Sequence, residues 1–237
     1  LSNIVMFKSA INYRSHKSMG YRFRKARFKN IETIIYQILK VKSKCKILDV
    51  GGTSVYWHLL PPELIDRVSI TILNLNIPKG SDVNSGGPQN IDLHFEVGDG
   101  RQLSHFDDNS FDLVHSNSVI EHVGLIKDMM SLANEVQRVG YMHYVQTPNI
   151  WFPIDPHYGV PFFHWLPWPV RAKILCAVSV GFKDRFSEYY DAVQFIEFVN
   201  LLDESAIKLL FPNSKILKER FLLLTKSLMV VGGAVDI

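Results

Sequence analysis

Cysteine is nearly absent from this chain. Two occur in 237 residues, Cys45 and Cys176, and neither stands in a CxxC pair or a ligand-like spacing. That excludes a disulfide framework and a cysteine-built zinc site, and a reducing compartment is expected. Long apolar runs are missing as well, so nothing matches the roughly 18–20 residues of a membrane-spanning helix. No signal-peptide pattern opens the sequence, which starts at Leu1 and not at a methionine. The native start is therefore expected to be missing, and the location to be cytoplasmic. Excess charge is small: a net +3 does not by itself argue for a nucleic-acid partner. Repeats and low-complexity tracts are not found.

What charge there is gathers near the start. "RSHKSMGYRFRKARFK", Arg14 to Lys29, holds seven lysines and arginines, no acid, and the aromatics Tyr21, Phe23 and Phe28. It reads either as an arm for an anionic partner, an acidic lipid surface included, or as the solvated face of a helix. The helix would continue into "NIETIIYQIL", where Ile31, Ile34, Ile35 and Ile38 recur at helical spacing.

Strands then alternate with helical patterns. "KILDV", "VSITILNLN", "IDLHFEV", "FDLVHSNS" and "YMHYVQTPN" read as five strands, and "LIKDMMSLANEVQRV" as a helix. The polar loop "SDVNSGGPQ" separates the second strand from the third. A single helix is expected over about Ala192 to Leu210, then two adjacent antiparallel strands in "SKILKERFLLLTKSLMVVGG". Such a pattern gives an α/β, Rossmann-like, doubly wound sheet, mostly parallel, with helices on both faces. Ligands bind such sheets beyond the carboxyl ends of the strands. "DVGGTS", "LNLN", "GDG", "SNSVIEH" and "QTPN" all fall there.

The paired glycines in "ILDVGGTSVYW" let the backbone turn sharply and approach a ligand, ahead of an aromatic helix start. A dinucleotide site needs GxGxxG for its pyrophosphate, and Gly51-Gly52-Thr53-Ser54-Val55-Tyr56 does not supply it. A nicotinamide reductase is thereby disfavoured, and a cofactor without phosphate at this position fits better.

"ILDVGGTS", "VGDGRQLSHFDDNSFDLVHSNSVIEHVG" and "EVQRVGYMHYVQTPN" together resemble class I S-adenosylmethionine-dependent methyltransferases, in particular the type 11 group of small-molecule methylators. The resemblance covers roughly Lys29 to Asn149, and the final strand pair suits the seven-stranded sheet of that family with its C-terminal antiparallel strand. It implies residues 1–40 as a basic helical arm and 41–237 as the methyltransferase domain, with an aromatic, proline-rich insertion at about 150–190. S-adenosyl-L-methionine is the implied cofactor. Asp49, Gly51 and Gly52 would form the turn near its amino-acid part, and Asp99 with Gly98 would meet the adenine. Ser116 and Asn117 would lie near the transferred methyl. Asn74, or Asn76, stands where the family has an acid for the ribose hydroxyls, and Thr53 and Val55 replace its later glycines. These departures motivate a rival reading, a catalytically degenerate fold serving as a binding or scaffold subunit.

Methylating an oxygen needs its proton removed, which suits a histidine or carboxylate. His122 in "SVIEHVG" is the preferred base. Glu121 beside it would point some 100° away on a helix. His157 and His164, in "TPNIWFPIDPHYGVPFFHWLPWP", come next. That segment leaves the fifth strand at the cleft edge, and its aromatics suit sugar rings or apolar chains. A sugar, a glycolipid or another small hydroxyl compound is the expected acceptor. Asp155 and His157 lack matched partners, so no metal site is expected. Nucleic acid is not expected either: amino-directed base methylators resemble one another in a D/N-P-P-Y/F/W motif where this chain reads "SNSV", and neither cysteine sits where a base C5 methylator needs one. The basic arm and "PFFHWLPWPVRAKIL" suggest peripheral contact with an acidic membrane surface.

Overall fold

The computed structural model describes residues 18–76 and 90–233. Arg14, Lys17 and the loop 81–89 lie outside the described residues. Seven strands form one sheet: β1 (Cys45–Val50), β2 (Val68–Asn74), β3 (Asp92–Val97), β4 (Phe111–Asn117), β5 (Gly140–Pro148), β6 (Lys215–Phe221) and β7 (Leu224–Gly233). Their order is β3-β2-β1-β4-β5-β7-β6. Every neighbouring pair among β1 to β5 is parallel, while β7 runs against both β5 and β6. The expected doubly wound sheet with an antiparallel strand near its end is therefore present.

Continuous apolar runs mark strands covered on both faces. β1 shows it: Ile47, Leu48 and Val50 are all buried, Ile47 packing to one side and Leu48 and Val50 to the other. On one side lies α1 (Met19–Ile38), whose Phe28, Ile31, Ile35 and Ile38 enter the core with Trp57 and Tyr144. Ser18 opens this helix, its Oγ accepting from Tyr21 N–H at 3.0 Å. The other side carries α2 (Ile126–Val139) and α5 (Glu204–Leu210), through Leu132, Val136 and Ile207. Between them α3 (Trp168–Ala177) and α4 (Tyr189–Glu197) form a small core of their own around Tyr158, Phe163 and Leu175.

Two local expectations need correction. The aromatic stretch after the glycines is not an α-helix but a 3-10 turn, Ser54–Leu59, followed by another over Pro62–Arg67. Pro61 and Pro62 follow the first turn too closely for an α-helix to extend. The single helix expected over 192–210 is two helices, α4 and α5. Asp203 starts the second one, its carboxylate accepting from Ala206 N–H at 2.8 Å, so the chain breaks where a side chain competes for the backbone.

The basic arm divides. Arg22, Lys25 and Lys29 are exposed, as a solvated face requires. Arg27 is buried and grips Glu219 of β6 with both carboxylate oxygens, at 2.8 and 2.9 Å. Glu219 also accepts from Lys226 Nζ at 2.9 Å. Among the described residues no helix is long and apolar enough to cross a membrane.

Candidate active site

The strand order reverses between β1 and β4, and there the strand exits open into two connected hollows. The first, about 520 Å³, is lined by Gly51, Asn74, Asn76, Gly98, Asp99 and His122. The second, about 330 Å³, is lined by Asp49, Gly52, Asn117, Glu121, His157 and Arg24. Gly51 and Ser118 line both. A third hollow of about 250 Å³, walled by Phe23, Phe152, Ile154 and Phe221, also reaches Ser118.

The paired glycines have separate reasons. Gly51 holds φ +72°, and a Cβ there would stand 2.5 Å from Val119. At Gly52 a Cβ would stand 1.7 Å from Asp49 Oδ2. That oxygen accepts from Trp57 Nε1–H at 2.8 Å, while Oδ1 meets His115 Nδ1 at 2.6 Å. Asp49 thus braces the turn from inside and lines the second hollow. Asn74 donates its Nδ2–H to Gly52 O at 3.0 Å, holding the end of β2 against the turn. Asp99 takes Arg101 Nε and Nη2, at 3.0 and 2.6 Å, and these bonds hold its carboxyl below the usual range.

At the fourth strand exit Ser116 is fully buried and donates its hydroxyl to Val50 O at 3.2 Å. The wall of the cleft there is Asn117 and Ser118. Ser118 holds φ +56° and donates its Oγ–H to Gln146 Oε1 at 3.0 Å. Sequence reasoning missed it, and only an unusual backbone angle on a non-glycine residue marks it.

His122 and His157, offered as alternatives by the sequence, are brought together. Their Nε2 atoms lie 3.1 Å apart. His157 Nδ1 lies 2.6 Å from Oδ1 of Asp155, which is buried, and His122 Nδ1 lies 3.2 Å from Phe198 O. Glu121 also faces the cluster, because a 3-10 turn over Ile120–His122 replaces the regular helix expected to separate their directions. Its carboxylate is fully buried; Oε2 accepts from Thr147 Oγ1 at 2.9 Å and Oε1 has no partner. Burial pushes this carboxyl up to about 7 and lowers His122. His164 is not part of the cluster: its Nε2 meets Ile150 O at 2.9 Å, under the insertion.

Of the insertion's aromatics, Phe152 lines the third hollow, while Tyr158 and Phe163 are buried in the satellite core. Trp151, Phe162, Trp165 and Trp168 are exposed.

Comparison with known proteins agrees with this geometry. Residues 48–140 match the family model of a methyltransferase domain. No curated protein matches the chain in sequence. Among solved structures, the PH0226 protein of Pyrococcus horikoshii OT3 is similar at 17% identity and TM-score 0.53, over 98% of this chain and 97% of that one. The DszA carbon methyltransferase is similar at 13% identity and TM-score 0.60, over 96% of this chain and 58% of its own. The N-methyltransferase NodS of Bradyrhizobium japonicum WM9 follows at 10% identity and TM-score 0.50, over 89% and 95%. At such identities the neighbours speak for the fold alone. The match over residues 48–140, the sheet and the open cleft at its reversal point agree in pointing to a methyltransferase domain on a Rossmann-like sheet.

Proposed function

We propose that the chain O-methylates a small-molecule hydroxyl, on a sugar, a glycolipid or a similar compound, in the cytoplasm. The observation that carries this reading is the meeting of three hollows at Ser118, with the His122–His157 pair and Glu121 at the join. S-adenosylmethionine supplies a sulfonium methyl group, which passes in line to a nucleophile as the C–S electron pair leaves on sulfur. The chain's part is to hold, align and accept a proton.

The residues suit that cofactor. Gly51 and Gly52 bring bare backbone to the waist of the cleft, where a methionyl group would lie. Asn74, its Nδ2–H spent on Gly52 O, turns its amide oxygen to accept from a ribose hydroxyl, with Asn76 beside it. Asp99, kept ionised by Arg101, accepts from an adenine amino group, with Gly98 beside it in the same hollow. Asn117 borders the methyl position, and Ser116 fixes the exit of β4 to β1 from behind. Much of the rate comes from such alignment. The proton of the acceptor hydroxyl leaves at the Glu121–His122–His157 cluster, a step that contributes roughly 10²–10⁴-fold in other enzymes. The apolar third hollow supports an acceptor with an apolar part, as a glycolipid has.

Calorimetry with S-adenosylmethionine and its demethylated product tests the cofactor half, and no heat of binding at millimolar cofactor would sink it. For the acceptor half, a panel of hydroxyl, amine and carbon acids is incubated with labelled cofactor. Label is expected in the hydroxyl compounds; label confined to amines or carbon acids overturns O-methylation.

A further inference from the structure

Glu121, His122 and His157 each offer a ligand atom, and the three atoms lie within 4.8 Å of one another. The outer nitrogen of each ring determines what the inner one carries. Phe198 O can only accept, so His122 Nδ1, 3.2 Å away, bears a proton. The buried Asp155 carboxylate, 2.6 Å from His157 Nδ1, requires the same of that ring. Both Nε2 atoms of the neutral rings are then lone pairs, facing each other at 3.1 Å. Two acceptors hold that distance only with positive charge between them.

A shared proton would supply one charge. Glu121 and Asp155 are both buried, and neither forms an ion pair with a lysine or arginine among the described residues. One proton would leave Glu121 Oε1 buried without a partner. A divalent cation answers the two lone pairs and the orphan oxygen together. Metal–nitrogen distances of about 2.0–2.1 Å in a tetrahedral site put neighbouring nitrogens about 3.3 Å apart. The observed pair stands at 3.1 Å. From 4.8 Å or less, the carboxylate has to close by at most about 1.5 Å to reach that spacing. The supports typical of metal ligands are in place: Phe198 O and Asp155 orient the rings, and Thr147 Oγ1 donates to Glu121 Oε2 at 2.9 Å.

We infer that Glu121, His122 and His157 form a site for a divalent transition cation of the zinc class, with an open position toward the cleft. Two imidazoles and one carboxylate are the donor set of zinc sites that keep a place for water or substrate. Binding stands on these residues alone. Its catalytic meaning rests on the acceptor reading above: the cation would hold the hydroxyl oxygen and ease loss of its proton to water, replacing an imidazole as the proton's destination.

The test titrates the chelator-treated full chain with Co²⁺. Visible d–d bands saturating at about one Co²⁺ per chain are expected, with Zn²⁺ abolishing them. Glu121 is fully buried, so the partly exposed histidines are the ones replaced: His122→Gln and His157→Gln should each remove the bands. Asp155→Asn should weaken Co²⁺ binding roughly 10–100-fold. Absent bands, or bands unchanged in both histidine variants, overturn the inference. A chain that O-methylates an acceptor yet gives no bands loses the cation alone. One that gives histidine-dependent bands without hydroxyl methylation keeps the cation and loses the acceptor reading.

Discussion

Gly52 shows how closely one residue ties the fold to the site. Any side chain there meets the Asp49 carboxylate, which already has Trp57 and His115 as partners and cannot swing away cheaply. Gly52→Ala is expected to destabilise the chain by about 1–3 kcal/mol, the usual cost of overpacking. It should also weaken the demethylated cofactor at least tenfold, because about 1.4 kcal/mol of misplacement suffices for that. Thermal melts and calorimetry on the same preparation check both, and unchanged affinity would remove the turn from the cofactor's surroundings. Asp49, Gly51, Gly52, His122 and His157 were legible in the sequence as candidates because the chemistry of each residue type is local. Their meeting was not: His122 and His157 stand 35 positions apart and become neighbours only when the insertion folds back. Ser118 was illegible for another reason, since its importance lies in a left-handed backbone angle that serine seldom adopts.

At the scale of the element, β5 offers a titration. His143 sits buried in this strand against Ser214 Oγ at 2.8 Å, and burial lowers it from 6.5 to about 4. The unfolded chain takes up a proton below about 6.5 that the folded chain refuses until about 4. Stability should therefore fall as pH drops through that window, by up to about 3 kcal/mol, and change no further from this group below it. Melting curves of wild type and His143→Gln between pH 7 and 4 should diverge, the variant losing less. Parallel slopes would place the acid sensitivity elsewhere. All seven strands were readable from apolar runs bounded by turn residues, and α2 from its period. The misread elements are those set by competition: prolines following the 3-10 turn Ser54–Leu59, and a capping aspartate that splits α4 from α5.

Across the whole molecule, the exposed aromatics of the insertion form a loose group. Trp151 and Trp165 have ring centroids 6.4 Å apart, and Phe162 and Trp165 5.2 Å. If the chain touches an anionic lipid surface, these aromatics and the exposed Arg22, Lys25 and Lys29 are the side chains that would meet it. Flotation with anionic vesicles at low salt should carry the chain upward. Replacing Trp165 and Trp168 by serine should cut binding about tenfold or more; equal flotation of the two forms would end the idea. The insertion has a second consequence. Asp155, His157 and Phe198 come from this outer region with its own small core, whereas the glycine turn and strand exits belong to the sheet. On the reading proposed above, the methyl donor would rest mostly on the turn and strand exits of the sheet, whereas the recipient's side would be shared between the sheet, the first helix and this outer part. A lineage could then trade one customer molecule for another by rewriting the outer share, while the machinery that supplies the methyl group stays as it was.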